Sequence, residues 1–398
     1  MAVKTLDHKL ARIHADPHGC KDFILADAKD ADMAFGIGAP GQSPEQHGGE
    51  VRVRTLAQYR EQIVQIVEQG LVDIMLMSAS TSEVLTIHRR LFDHSPVTPA
   101  ARANDTTDVH VLRGSKYIST PALPFRTATL DHLQCGHVDC AATERTRGVD
   151  LGLYSITLNN DTDLDRLTLE EYKQFRLEAE PKGFRHFLEV FDPNLQGRVP
   201  PEQTPGFIND AIARTLAGVT QKGRPVFLKI VYHGPKALEE LVNYDPHLIV
   251  GILGGAAGTT YDAFKLLTEA KKYGARAALF GRKINQAENQ LAFVRFLRLL
   301  ADGQLTAEEA VRAYHAVLQK LKITPHRPLE EDLQLRTSVM SYGGNGSTTI
   351  SLPKGKSAVT PSTNGAVKKT PTGEPDFKKM TPAEKIAYNR ERWKKIYG

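Results

Sequence analysis

The sequence predicts a (β/α)8 barrel with an inserted segment near 109–148 and a flexible basic C-terminal tail ending in a short helix. Three observations point there. Eight short apolar runs alternate with helix-length amphipathic stretches through most of the chain, the pattern of right-handed βαβ units around a parallel sheet. The runs end in polar or glycine-rich residues, as strands do at the catalytic face of such a barrel. No glycine-rich dinucleotide fingerprint opens a helix directly after the first run, which argues against an open doubly wound sheet.

The first strand is the run over 23–29, followed by the Gly36-Ile37-Gly38-Ala39-Pro40-Gly41 loop and a helix over 54–70 that Gly70 closes. The second strand covers 72–77, and Ser80-Thr81-Ser82-Glu83 opens a helix with capping chemistry. The third, over 97–102, runs into Asn104-Asp105-Thr106-Thr107-Asp108, after which 109–148 reads as an insertion. Strand four, over 153–158, ends in Asn159-Asn160-Asp161 before a helix near 168–180. Strand five, over 187–191, ends at Asp192-Pro193-Asn194, and a helix near 206–219 leads to strand six, over 225–232. A helix over 235–243, strand seven over 248–253, a helix over 260–273, strand eight over 276–280 and a helix over 286–302 complete the set. One more helix, over 306–321, extends a body expected to end at 325. Residues 326–380 read as a low-complexity linker, richest in Gly, Ser, Thr, Pro and Lys over 337–378. In the last segment, 381–398, Thr381-Pro382-Ala383-Glu384 is a capping box with proline at the first helical position. It opens a short amphipathic helix expected to dock on the barrel or on a neighbouring subunit.

Composition narrows the function. A chain of 398 residues, 41% hydrophobic, supplies a sizeable core. No run approaches a membrane span, the opening residues lack a signal-peptide apolar region, and three cysteines (Cys20, Cys135, Cys140) build no disulfide framework, so a cytoplasmic protein is expected. The net charge of +5 belongs to the tail: from Lys354 onward 11 Lys/Arg stand against 4 Asp/Glu, a balance of +7 that leaves the remainder at −2. Nucleic acid is therefore not the expected partner.

Strand six carries the sharpest chemical signal. Lys229 is the one charge in Pro225-Val226-Phe227-Leu228-Lys229-Ile230-Val231-Tyr232. An ammonium in apolar surroundings loses hydration, and the neutral amine that burial favours is a nucleophile able to form a Schiff base. The alternative is a lysine that snorkels or pairs with a carboxylate. On the neighbouring strand, Glu189 is either a general acid/base for that amine or its structural counter-ion. On strand one, Asp27, Asp30 and Asp32 compete as the base that takes a substrate hydroxyl proton, with Asp27 preferred. Lys29 rivals Lys229 but, among so many charges, is expected to be solvated. Gly254-Gly255-Ala256-Ala257-Gly258 after strand seven and Gly281-Arg282-Lys283 after strand eight suit phosphate, through backbone N–H groups and the Arg282 fork, or else are turns that need glycine. Arg102, Asn104 and Asn159 are expected to recognise sugar hydroxyls, an Asx-turn being the alternative for the strand-three group. Finally, His132, Cys135, His137 and Cys140 offer four zinc-type ligands at a spacing that matches no standard finger.

The Lys229-Ile230-x-Tyr232 segment, the Gly254-Gly255 loop and Gly281-Arg282-Lys283-Ile284 resemble the class I, Schiff-base aldolases of the bacterial and archaeal fructose-bisphosphate and tagatose-bisphosphate type. The similarity is clearest over 186–300, and Phe187-Leu188-Glu189-Val190 is closest to the tagatose-bisphosphate branch. The strand-one Asp-His-Gly of many relatives is replaced by Asp27-Ala28-Lys29. The resemblance implies that Lys229 forms the imine, Glu189 is an acid/base, and Gly254, Gly255, Gly281 and Arg282 hold phosphate. It further implies a homo-oligomeric lyase acting on a phosphorylated ketose with no cofactor and no metal. A transaldolase or other Schiff-base lyase on another sugar, and a non-catalytic barrel serving in binding or assembly, stay open.

Overall fold

The computed structural model describes residues 3–41, 53–255, 258–337 and 381. Two compact units divide the chain, 1–348 and 349–398. Apart from Thr381, the second unit, with the expected C-terminal helix, lies outside the described residues, as does the linker from 338 onward.

Eight parallel strands close a barrel: β1 Ile24–Lys29, β2 Ile74–Met77, β3 Thr98–Arg102, β4 Leu151–Thr157, β5 Arg185–Phe191, β6 Leu228–Ile230, β7 Val250–Leu253 and β8 Ala277–Phe280. They pair in sequence order, and β8 pairs with β1 to complete the ring. The outer layer comprises α2 Leu56–Gln69, α3 Thr162–Ala179, α4 Thr204–Ala217, α5 Pro235–Tyr244, α6 Thr260–Lys272, α7 Gln290–Ala301 and α8 Ala307–Lys320, after a first helix, α1, Thr5–Ala15. Among the described residues no helix is long and apolar enough to cross a membrane.

Side-chain alternation along each strand separates two cores. Ile24, Ala26, Ala28, Ile74, Leu76, Ala100, Leu151, Leu153, Phe187, Phe227 and Leu279 fill the barrel interior. Leu25, Met75, Tyr154, Leu188, Leu228, Ile252 and Phe280 face outward, against helix residues such as Ile63, Phe175, Phe264 and Phe293. The helix α1 was not foreseen, although Leu6, Leu10 and Ile13 recur at helical spacing; it adds these three to the interior core.

Other boundaries differ for local reasons. The helix expected near 168–180 begins six residues earlier, because the Asp161 carboxylate caps it by accepting from Leu164 N–H. The stretch opened by Ser80 is a single α-turn that widens into a π-helix over Glu83–His88. The insertion is built of short turns, a two-residue antiparallel pairing of Asp105–Thr106 with Pro124–Phe125, and a helix over Leu130–Cys135. The ordered body also runs past 325. Residues Leu329–Asp332 form a helical turn whose Asp332 carboxylate accepts from Thr260 N–H at the start of α6.

Candidate active site

The β4, β5 and β6 strands place Ser155, Glu189 and Lys229 side by side, since Ser155 is in register with Glu189 and Glu189 with Lys229. All three have the inward parity of Leu153, Phe187 and Phe227 two residues earlier. The polar layer thus rests on an apolar floor in which the Phe187 and Phe227 rings stack at 4.6 Å. Lys229 is 5% exposed and Glu189 fully buried. The Lys229 ammonium is ion-paired with Glu189 Oε1. Ser155 Oγ donates to Glu189 Oε2 at 2.7 Å, and Arg102 Nη2 lies 3.7 Å from that oxygen. Arg102 Nε in turn donates to Asp30 Oδ2 at 2.7 Å. The result is a continuous alternation of charge, Asp30–Arg102–Glu189–Lys229, buried inside the C-terminal end of the barrel. Such a chain is tolerable only because each charge has a partner.

Strand one corrects two expectations. Asp27 and Lys29 share the outward parity of Leu25, so both leave the barrel interior and lie in the layer beneath the helices. Lys29 is fully buried, not solvated. It lies 3.4 Å from Asp27 and donates to Asn285 Oδ1 and, at 2.8 Å, to Gln290 Oε1. Burial lowers its basicity, against the opposing charge of Asp27. Burial also raises the Asp27 carboxyl to about 6, Lys29 notwithstanding. Asp30, with the inward parity of Ala26 and Ala28, is the strand-one carboxylate joined to Arg102 at the mouth. Asp32 accepts from Ser78 Oγ at 2.6 Å instead.

The two asparagines are also committed internally. Asn104 clasps the Ser155 peptide from both sides, accepting from its N–H at 2.6 Å and donating to its carbonyl at 2.7 Å. Asn159 makes the same clasp on Ala122, at 3.2 and 3.1 Å, and so pins the insertion to β4. Both side chains are buried, and each spends an acceptor and a donor on these peptides. Ser155, which the sequence analysis missed, holds the acid/base candidate; its position two residues beyond the inward Leu153 was the available signal.

The insertion roofs this layer. Val109 packs on Phe191, Val231 and Leu253, the inward residues one step above Glu189, Lys229 and Gly251. Beside it Thr157 Oγ1 donates to Asp108 Oδ2 at 2.9 Å. Burial, opposed by the Thr106 and Thr157 hydroxyls and reinforced by the charge of Glu189, raises the Asp108 carboxyl. A cavity of about 160 Å³ lies away from these residues, lined by Arg54, Gln62, Glu288 and Gln290.

The two glycine loops have structural reasons of their own. A Cβ on Gly254 would sit 2.1 Å from the Phe280 ring, and one on Gly281 would sit 2.4 Å from the Ala28 carbonyl oxygen. Gly255 has φ +58°, which suits glycine. Ala256 and Ala257 lie outside the described residues. Thr260 N–H at the head of α6 is taken by Asp332, and Lys283 Nζ donates to Gly258 O at 2.9 Å. Lys283 is lowered to about 8 by burial, against the pull of Asp332. Arg282 lies over the Phe35 ring at 5.4 Å, half-buried.

The zinc-type string is drawn together in part. Cys135, His137 and Glu144 place one ligand atom each within 4.8 Å of one another. Burial and the adjoining Cys135 thiol push the Cys140 thiol up to about 12. His132 turns away, its Nδ1 bonded to Thr129 Oγ1 at 2.7 Å.

No family model matches the chain, and no curated protein matches it by sequence. Solved structures do. An archaeal fructose 1,6-bisphosphate aldolase is similar over 75% of this chain and all of its own length, at 15% identity and a TM-score of 0.53. A structure from work on reaction intermediates of the Schiff-base-forming fructose-1,6-bisphosphate aldolase covers the same shares at 17% identity and 0.53. A fructose-bisphosphate aldolase from Slackia heliotrinireducens covers 83% of this chain and 93% of its own, at 15% identity and 0.53. What these proteins share with the chain is the (β/α)8 barrel.

Proposed function

We propose that the chain is a class I aldolase-type lyase, forming a Schiff base through Lys229 with the carbonyl of a phosphorylated ketose. The observation that carries this reading is the buried, inward pairing of Lys229 with Glu189 at the C-terminal end of the barrel. Lys229 Nζ attacks the ketone carbon once its proton has passed to Glu189. The protonated Glu189 then supplies the proton on which the carbinolamine loses water. The imine accepts the electron pair of the C3–C4 bond as it breaks. We assign removal of the C4 hydroxyl proton to Asp30 in place of Asp27, because Asp30 alone of the two shares the mouth with Arg102 and Glu189. Arg282 and the Gly255 backbone are the assigned phosphate contacts. Protonation of the resulting enamine and hydrolysis of the imine regenerate the amine. Ring-opened sugars carrying other groups, and transfer of the three-carbon unit to a second aldehyde, use the same imine.

The roof formed by Val109 supports a second reading, a barrel without catalysis, because it covers the layer above Lys229. Borohydride reduction separates the two. Incubating the protein with dihydroxyacetone phosphate or a ketose phosphate and then borohydride is expected to add the reduced three-carbon or ketose mass to the Lys229 peptide. An unmodified Lys229 across a panel of ketose phosphates refutes the Schiff-base reading and leaves the non-catalytic barrel.

A further inference from the structure

A second chemical centre lies in the insertion, with none of its residues belonging to the Lys229 network. The chain between Cys135 and Gly148 is a closed loop: Gly148 N–H donates to Gln134 O at 2.7 Å and Val149 N–H to Leu133 O at 3.0 Å. Within it Cys135 and Cys140 are buried, whereas His137 is exposed and Glu144 half-buried, so soft ligands line the inside and harder ones the rim. Two fixed orientations aim at one point. His137 Nδ1 is 2.8 Å from the Val138 carbonyl, to which it donates, so its lone pair is on Nε2. That Nε2 is 3.5 Å from Glu144 Oε2. Glu144 is held by Arg147 Nη1 on its other oxygen at 2.8 Å and by Ala141 N–H at 3.3 Å. A backbone carbonyl that fixes the histidine tautomer, and a cation that fixes the carboxylate, are the usual outer supports of metal ligands.

The distances suit a small tetrahedral ion. Two nitrogen or oxygen ligands at about 2.0–2.1 Å from tetrahedral zinc stand about 3.4 Å apart, close to the His137–Glu144 separation. The Cys135 sulfur falls within 4.8 Å of both; the Cys140 thiol adjoins Cys135 but stands outside that group of three, so it becomes the fourth ligand by a turn of its side chain. We propose that Cys135, His137, Cys140 and Glu144 bind a zinc ion that locks the 135–148 loop. With four protein ligands and no open position, the ion is structural and separate from the imine chemistry. The set differs from the one the sequence spacing suggested: Glu144 replaces His132, whose ring is engaged by Thr129. Two cysteines at i and i+5, with a histidine between them, supply ligands from a stretch too short to form a core of its own, where a metal adds most to stability.

Metal content of the full chain, purified without chelator and reconstituted with zinc, tests this directly. The expected result is about one equivalent of zinc per chain. That zinc is lost in Cys135→Ser and Cys140→Ser, falls at least tenfold in affinity in His137→Ala, and is retained in His132→Ala. Cobalt substituted into the wild-type chain is expected to show thiolate-to-metal charge-transfer absorption, a readout that needs no variant to fold. Background metal content in the wild-type chain overturns the proposal. So does zinc retained by Cys135→Ser, loss in His132→Ala with His137→Ala unaffected, or a Cys135–Cys140 disulfide found by mass after alkylation without reductant.

Discussion

Asp27 and Asp30 are three residues apart and lie on opposite sides of the barrel wall. Asp27 is sealed beneath the helices with Lys29, while Asp30 reaches Arg102 at the mouth. The assigned roles therefore predict a clean separation. Asp30→Asn is expected to lower turnover by about 10²-fold or more, the size of a lost proton-transfer group. Asp27→Asn is expected to leave it within about threefold. Steady-state ketose-phosphate cleavage by the two variants decides it, and equal losses would remove Asp30 from the mechanism.

The same Asp27 makes stability depend on pH. Its carboxyl titrates near 6 in the folded chain against 3.8 ordinarily, so between those values the folded state holds the proton that the unfolded state has released. Stability from this group is present below about pH 4 and falls as pH rises to about 6. Relative to wild type, Asp27→Asn is expected to gain up to about 3 kcal/mol between pH 4 and pH 7. Urea midpoints for both chains at pH 4, 5, 6 and 7 measure it; a difference constant with pH contradicts it.

Glu189→Gln keeps the shape of the side chain and the Ser155 contact but removes the charge facing Lys229. Loss of the acid/base group is expected to cost 10²–10⁴-fold in kcat. Ser155→Ala, which leaves Glu189 Oε2 short of its 2.7 Å donor, is expected to cost about 1–3 kcal/mol of stability and a smaller share of kcat. Thermal melts alongside initial rates distinguish the two effects. Lys229→Met must abolish borohydride labelling, and Lys29→Met must preserve it.

Val109→Ala removes two methyl groups from the roof above Lys229. It is expected to cost about 1.5 kcal/mol of stability while raising the rate of borohydride trapping. If trapping is unchanged, the roof is not what limits access.

Barrel topology was legible because each strand is a short apolar run with its own turn signals, and because helix-length amphipathic stretches separate most of these runs. The Glu189–Lys229 pair was legible too, since neighbouring strands of one sheet bring equivalent positions together. Strand one was misjudged by counting charges in place of parity. Ile24, Ala26 and Ala28 mark the inward face, which puts Asp30 in the mouth and Lys29 outside it. Asn104 and Asn159 were assigned to substrate because a free amide and one clasping a distant peptide have identical sequences; Ala122 lies 37 residues from Asn159. Helix α1 was passed over because its apolar positions are few, and their value comes from the barrel interior that they join.

The carboxylate of Asp332 at the head of α6 bears on how the molecule is made. Helix α6 follows β7, yet its first turn is completed by residues synthesised some seventy positions later: Asp332 on Thr260 N–H, the Gln334 carbonyl on Thr259 Oγ1, and the Arg336 and Thr337 N–H groups on Asp262. Until 337 has left the ribosome, Thr260 N–H and the outer oxygen of Asp262 lack these protein partners, and helix ends in that condition fray. The barrel ring can close as soon as β8 emerges, but the head of α6 gains its last partners only when the chain returns to it.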